Sequence, residues 1–298
     1  MKRIKLIIIA AIISISANAQ QFSLYSQYMH NKYALNPAVA GSQEGLTMGA
    51  SYRQMWTGFK DAPSIKTLYG HTAINETMGV GGKVFSLTTG PTSQSGFEGT
   101  YAYHLKIGDD LKLGLGLSAV LTQYSINKSL IDLKNPDDNV MSTGGESLIV
   151  PDANFGAYLY SKNYYVGLVA AQLIPLKANF KSDFLENKQE RHYFLHGGYN
   201  YEINDNLSIE PSILFRYIEA GALQLDANLK FTIKQMFWIG GSYRLNDAAV
   251  AMVGVKAGNI LFGYSYDYTL SDIGNYSNGS HELVLILKLG GGDNKSLL

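Results

Sequence analysis

Cysteine is absent from the 298 residues, which excludes a disulfide framework and leaves the fold to backbone pairing and packing. Proline is scarce, at 7, so a proline-rich disordered linker is not expected. Charged residues make up 16%, against a soluble average nearer ~25%. They balance at a formal net charge of +0, so nothing electrostatic points to nucleic acid. A cytosolic enzyme of this length would carry more charge and a βαβ rhythm. After the first 19 residues no apolar run approaches the roughly 20 that a membrane helix needs. What is abundant is glycine, at 31, and tyrosine, at 21.

The amino terminus reads as a signal peptide covering 1–19. Lys2, Arg3 and Lys5 precede a short apolar core over 6–16, and Ala17-Asn18-Ala19 supplies a cleavage site before Gln20. Its removal takes away three positive charges and leaves 21 basic against 24 acidic residues, or −3.

Period-two alternation recurs beyond it, the mark of strands whose faces meet different surroundings. Leu111, Leu113, Leu115 and Leu117 alternate with Lys112, Gly114, Gly116 and Ser118. Leu225, Ala227, Leu229, Phe231 and Ile233 alternate with Gln224, Asp226, Asn228, Lys230 and Thr232. Leu283, Leu285, Leu287 and Leu289 form one more such row. Fourteen strands are expected, near 46–55, 64–74, 78–88, 93–107, 110–127, 151–161, 164–174, 190–203, 207–218, 223–233, 237–245, 248–257, 260–269 and 280–289. Every second connection is a tight polar turn, while 128–150, 175–189 and 270–279 are long.

Short turns on one side, long loops on the other and an even strand count predict an all-β, antiparallel outer-membrane barrel. Both termini then fall on the short-turn, periplasmic side. In hydrocarbon each backbone N–H and C=O must be paired, and a sheet achieves that only by closing. Fourteen strands of about ten residues need ~140, and 279 remain once 19 are removed. The apolar rows face lipid. Glu98, His104, Lys112, Glu202, Arg216, Asp226, Lys230, Arg244 and Asp267 face a wet lumen. Tyr165, Tyr201, Tyr217, Tyr243 and Tyr268 are expected in interfacial girdles. A soluble β-sandwich fails because so many large apolar residues would need a second layer of equal area.

No constellation for chemistry stands out, and an enzyme is not expected. His192 and His196 have helical zinc spacing, but on a strand they lie about 13 Å apart. The oxygens of Asn135-Pro136-Asp137-Asp138-Asn139 lack the EF-hand order and read as a polar turn. Gly79-Val80-Gly81-Gly82-Lys83 lacks the phosphate-loop spacing and the following helix, and reads as a small-residue strand. There is no G-x-S-x-G elbow, and Ser280-His281-Glu282 are neighbours along one strand, pointing to alternate faces. Neither cofactor nor metal is expected.

Two blocks break the alternation: Tyr28-Met29-His30-Asn31-Lys32-Tyr33-Ala34-Leu35-Asn36-Pro37-Ala38-Val39-Ala40-Gly41, and Tyr52-Arg53-Gln54-Met55-Trp56 followed by Asp61-Ala62-Pro63-Ser64. With Ser271-Asp272-Ile273-Gly274-Asn275-Tyr276 and Gly279-Ser280-His281-Glu282-Leu283, they resemble the PorP/SprF family of type IX secretion system membrane proteins. The resemblance covers essentially the whole mature chain. It implies an outer-membrane barrel working with the type IX apparatus and outer-membrane lipid. It also implies receiving the C-terminal sorting domain of a large adhesin for secretion or surface attachment, in some members for gliding motility. The last strand departs from the usual terminal aromatic by ending Lys288-Leu289.

Four parts follow: signal peptide 1–19, amino-terminal segment 20–45, barrel 46–289, and a flexible polar tail 290–298, untethered or a periplasmic contact. The segment 20–45 is too uncharged for a solvated tail and is expected in or against the lumen, as packing or as a partner contact. Arg53 should face inward with Thr47, Gly49 and Ser51 and pair with a lumen carboxylate, and Trp56 reads as a girdle residue or as a cargo anchor. The candidate partner-binding residues are Asn36, Pro37, Tyr52, Arg53, Trp56, Tyr276 and His281. The competing reading is a FadL-like or porin-like passive transporter with an amino-terminal hatch. A partner barrel should be plugged; a transporter should show a continuous path.

Overall fold

A computed structural model describes residues 25–131, 145–174, 177–179, 186–219, 221 and 223–290. The expected signal peptide, the polar turn at 135–139 and the tail after Gly290 lie outside the described residues. The wall is built from β1 (Leu46–Gln54), β2 (Ser64–Ala73), β3 (Met78–Thr89), β4 (Thr92–Lys106), β5 (Lys112–Asn127), β6 (Gly145–Tyr160) and β7 (Tyr164–Ala171). A small hairpin of β8 (Lys177–Asn179) and β9 (Glu186–Lys188) stands outside it. The wall resumes with β10 (His192–Tyr199), β11 (Tyr201–Asn204), β12 (Leu207–Ile218), β13 (Gln224–Ile233), β14 (Phe237–Arg244), β15 (Ala248–Ala257), β16 (Ile260–Thr269) and β17 (Ser280–Leu289).

β10 and β11 both pair with β12 and are one strand interrupted at Asn200, so the wall has fourteen strands. All pairings are antiparallel, and β1 pairs with β17 from Leu46↔Leu289 to Gln54↔His281, which closes the barrel. No helix of the described residues is long and apolar enough to cross a membrane.

Alternation decides which way each strand faces. On β13, Asp226, Asn228, Lys230 and Thr232 are buried inside while Ala227, Leu229 and Ile233 are exposed outside. A one-residue slip would move a lysine into hydrocarbon at ~2–4 kcal/mol and flip its neighbours with it, so register is tightly held. Of the nine charged residues expected in the lumen, Glu98, His104, Arg216, Asp226, Lys230, Arg244 and Asp267 are buried there. Lys112 and Glu202 sit at strand ends and are exposed, because the wall no longer encloses them.

Outward tyrosines form two girdles. Tyr52, Tyr193, Tyr217, Tyr243 and Tyr268 lie toward the long-loop end, and Tyr103, Tyr164, Tyr199 and Tyr201 toward the other. Tyr165 is a correction: it points inward and is buried under Lys32, whose Nζ lies 3.9 Å from its ring centroid. Three strand limits also differ from expectation. β6 starts six residues early at Gly145, β7 ends at Ala171 before Gln172 at φ 58°, and the eighth wall strand is broken.

The lumen is not empty. The segment preceding β1 runs through it as a turn, a single helical turn at Lys32–Leu35 and a 3₁₀ turn at Pro37–Val39. Leu46 and Leu289 sit at the short-turn end, but Tyr25 does not. Its hydroxyl bonds Thr67 Oγ1 at 2.7 Å, near the long-loop end of β2. The segment thus descends from the long-loop end rather than starting beside the short turns.

Candidate functional site

The site is the seat of this amino-terminal segment and the rim above it. Its lower part is made by absence of side chains. Gly79 on β3, Ala102 on β4, Gly116 on β5 and Gly156 on β6 are successive register partners, so one small-residue row crosses four strands at one height. A Cβ on Gly79 would meet Ala40 and Gly41, one on Gly116 would meet Pro37 and Ala38, and one on Gly156 would meet Asn36. Backbone can approach backbone this closely only where glycine clears the way. The Asn36-Pro37-Ala38-Val39-Ala40-Gly41 block lies along that row.

Polar contacts fix the block in place. Asn36 Oδ1 accepts from the Ala38 N–H at 2.9 Å, and Nδ2 donates to the Ala157 carbonyl at 3.1 Å and lies 3.0 Å from His196 Nε2. His104 Nε2 lies 2.8 Å from the Ala40 carbonyl, and the Gly41 N–H donates to His71 Nδ1 at 3.3 Å. Lys83, ion-paired with Glu98 at 2.7 Å, donates to the Ala34 carbonyl at 3.1 Å. Tyr33 donates to Thr100 Oγ1 at 2.9 Å, and His30 lies against Trp238 with ring centroids 4.4 Å apart.

The upper part is a buried charge network. Arg53 reaches Asp267 at 2.7 Å and Glu282 at 3.1 Å. Arg244 reaches Asp226 at 3.2 Å, Asp267 at 3.0 Å and Asp247 at 3.2 Å. Ser26 sits at the centre. Its hydroxyl donates to Asp267 at 2.8 Å and accepts from Arg53 at 2.7 Å and Arg244 at 3.1 Å. Glu282 accepts the backbone N–H groups of Ser26 at 2.7 Å and Gln27 at 3.2 Å. Charges this deep are tolerable only when paired and hydrogen-bonded, and the segment supplies part of that satisfaction.

Between segment and wall remains a cavity of about 60 Å³, lined among others by His30, Lys32, Thr47 and His71. That is room for about two waters. Among the described residues no group of three His, Asp or Glu is placed to hold a metal.

The seven candidate residues do not form one surface. Asn36, Pro37 and Arg53 are buried in the lumen, Arg53 facing inward on a carboxylate pair as its strand position predicts. Tyr52 and His281 face outward in the upper girdle, where Tyr264 lies 2.7 Å from His281 Nδ1. Trp56 and Tyr276 stand at the rim. Trp56 is held at φ 44°, left-handed backbone that a tryptophan adopts only under constraint. The constraint is visible: Trp56 N–H donates to Ser280 Oγ at 3.0 Å, Thr57 N–H to Gly279 at 2.8 Å, and Asn278 N–H to Thr57 at 2.7 Å. These bonds join the loop after β1 to the loop before β17. The joined loops present Phe59 in edge contact with Tyr276, centroids 6.5 Å apart, and Tyr276 is 76% exposed.

With that geometry in view, the family follows. The model of the type IX secretion system membrane protein PorP/SprF matches residues 17–287. The chain belongs to the PorP/SprF family. No curated protein matches it significantly. Among solved structures, the CymD monoaromatic hydrocarbon channel is similar at 12% identity and TM-score 0.49, over 91% of this chain and 94% of that one. Omp33 of Acinetobacter baumannii gives 8% and 0.47, over 84% and 100%. A FadL homologue of Pseudomonas aeruginosa gives 10% and 0.44, over 81% and 88%. By its family and its closed fourteen-strand wall, the PorP/SprF chain is an outer-membrane β-barrel of a type IX secretion family, and its lumen carries its own amino-terminal segment.

The glycine row and Ser26 were missed by sequence reasoning. The available signal was the L-G-L-G-L run at 113–117, in which inward positions carry no side chain rather than a polar one.

Proposed function

We propose that this PorP/SprF protein is a non-enzymatic partner barrel that binds the C-terminal sorting domain of a large surface adhesin, for its secretion or attachment. Gliding motility is one use of such an adhesin. The observation that carries this reading is the occupied lumen. A segment clamped by the Arg53–Asp267–Glu282 network at one end and seated on glycines at the other occupies the lumen, which favours work done at the surface over passage of solute. The long-loop end is taken as extracellular and the short-turn end, with Leu46 and Leu289, as periplasmic.

The rim supplies a platform of the right chemistry. Phe59, Tyr276 and Trp56 are held by paired loops, and rigid aromatics are favoured anchors in protein interfaces. Asn36, Pro37 and Arg53 then act by holding the plug, and Tyr52 and His281 by seating the rim in the membrane interface.

Affinity capture of the tagged barrel from native membranes tests this. An adhesin with a sorting domain, or a type IX component, should co-purify. The F59A/Y276A pair should lower adhesin capture by tenfold or more while the folded barrel band is unchanged. Capture of neither partner by the wild type would overturn the reading.

A further inference from the structure

Two wall histidines grip the plug in a way that only a neutral imidazole permits. Asn36 cannot be flipped, because Oδ1 faces the Ala38 N–H and Nδ2 faces the Ala157 carbonyl. Its Nδ2–H therefore points at His196 Nε2, which must be the unprotonated nitrogen. At the other end of the same six-residue block, the Gly41 N–H donates to His71 Nδ1, which must again carry a lone pair. A proton on either nitrogen sets donor against donor. His104 differs: Nε2 faces the Ala40 carbonyl and Nδ1 faces the Tyr160 hydroxyl, an arrangement that a protonated ring also satisfies.

The surroundings offer the cations no relief. His196 is flanked by Tyr158 and Tyr165, and its charged neighbour is Lys32 from the segment. His71 lies against Tyr33 and Tyr69, and its neighbours are Lys288 of β17 and His104 of β4. The carboxylates of the neighbourhood are engaged elsewhere: Glu210 pairs with Lys230 at 2.6 Å and faces Lys32 at 3.9 Å, and Glu44 faces Lys288. His30 of the segment lies against Trp238, with Lys32, Lys230 and Glu210 around it, and its Nε2 makes no bond that a proton would break.

We propose that the amino-terminal segment is an acid-released plug, so that the barrel, besides docking a partner at its rim, is a proton-gated pore for small polar solutes. The lumen that release would uncover is lined by charged side chains, among them Lys83, Glu98, Glu210, Arg216, Asp226 and Lys230. Fourteen strands also enclose more space than the eight that side chains alone can fill. The sign is fixed by linkage. Each of the two histidines binds a proton only when the segment has left, so release is favoured as pH falls below the free value of ~6.5 and seating is favoured above it. Each contributes about tenfold per pH unit, and the two together about a thousandfold between pH 7.5 and 5.0.

The chain has no cysteine, so a single one reports position cleanly. Val39 is buried on the plug beside the small cavity, and Asp205 is exposed in a short turn. In full-length barrel reconstituted in liposomes, maleimide labelling of V39C is measured relative to D205C at each pH, which cancels the thiol's own pH dependence. The relative rate should rise tenfold or more from pH 7.5 to 5.0, with bilayer conductance rising in step; a smaller rise overturns the proposal. In the H71Q/H196Q background, where an amide oxygen can accept at any pH, the rise should fall to a tenth of that or less. An undiminished rise there overturns it. Should the double variant fail to insert, H196Q alone should halve the logarithm of the rise; a full rise in H196Q is again fatal.

Discussion

Leucine at position 116 is expected to expel the amino-terminal segment and leave a folded, open barrel. Gly116 points inward from β5, where even a Cβ would fall on the backbone of Pro37 and Ala38. β5 is hydrogen-bonded on both sides to β4 and β6 and cannot retreat without unpairing two long ladders. The segment is held by side-chain contacts and one turn of helix, so it yields first. Planar-bilayer recordings of wild type at neutral pH should show a closed or nearly closed barrel. G116L should raise conductance by at least an order of magnitude while keeping the heat-modifiable folded band. L117A, one residue on and facing outward, should do neither. A G116L barrel as closed as wild type would show that the row of small residues is not a seat.

Methionine in place of Arg53 is expected to give the largest loss of stability of any single change in the wall. Arg53 is 1% exposed and serves two carboxylates on two other strands, besides Ser26. Removing one partner of a buried charge pair costs about 3–5 kcal/mol, because the remaining charge stays buried and unpaired. Asp267 keeps Arg244, but Glu282 keeps only the two backbone N–H groups of the segment and the demand falls on them. The unfolding midpoint of the heat-modifiable band should drop by about 10 °C. The R53M/E282M double variant, which removes both charges, should recover most of that. An unchanged midpoint in R53M would mean that the network contributes little.

The wall was legible because its two faces differ in kind. The rows at 223–233 and 283–289 could be read residue by residue, since lipid on one side and a polar interior on the other enforce strict alternation. The inward direction of Arg53 followed from the same period of two. What the residues around it do was not legible, because the network joins Ser26, Arg53, Arg244, Asp267 and Glu282 across more than 250 positions of sequence. Tyr165 shows the other limit. A tyrosine at a strand end suits an interfacial girdle, and only the presence of Lys32 inside the barrel turns that position into a buried contact. The glycines of β3 and β5 were visible as small residues, yet their purpose depends on a partner segment forty to eighty residues away. The resemblance pointed to the Asn36–Gly41 block as special, and the structure supplies its physical task.

The direction in which the segment runs has a consequence for how the molecule is made. The free amino-terminal end can slide along a closed lumen, but while the ring is still open it can be laid in sideways, a much shorter path. The join that shuts the wall between the first and last strands is the one between β1 and β17. Arg53 and Glu282 face each other across that very seam, with the Ser26 N–H on the carboxylate. Zipping the seam and docking the segment are thereby coupled during biogenesis, because each supplies polar partners that the other would otherwise bury unsatisfied.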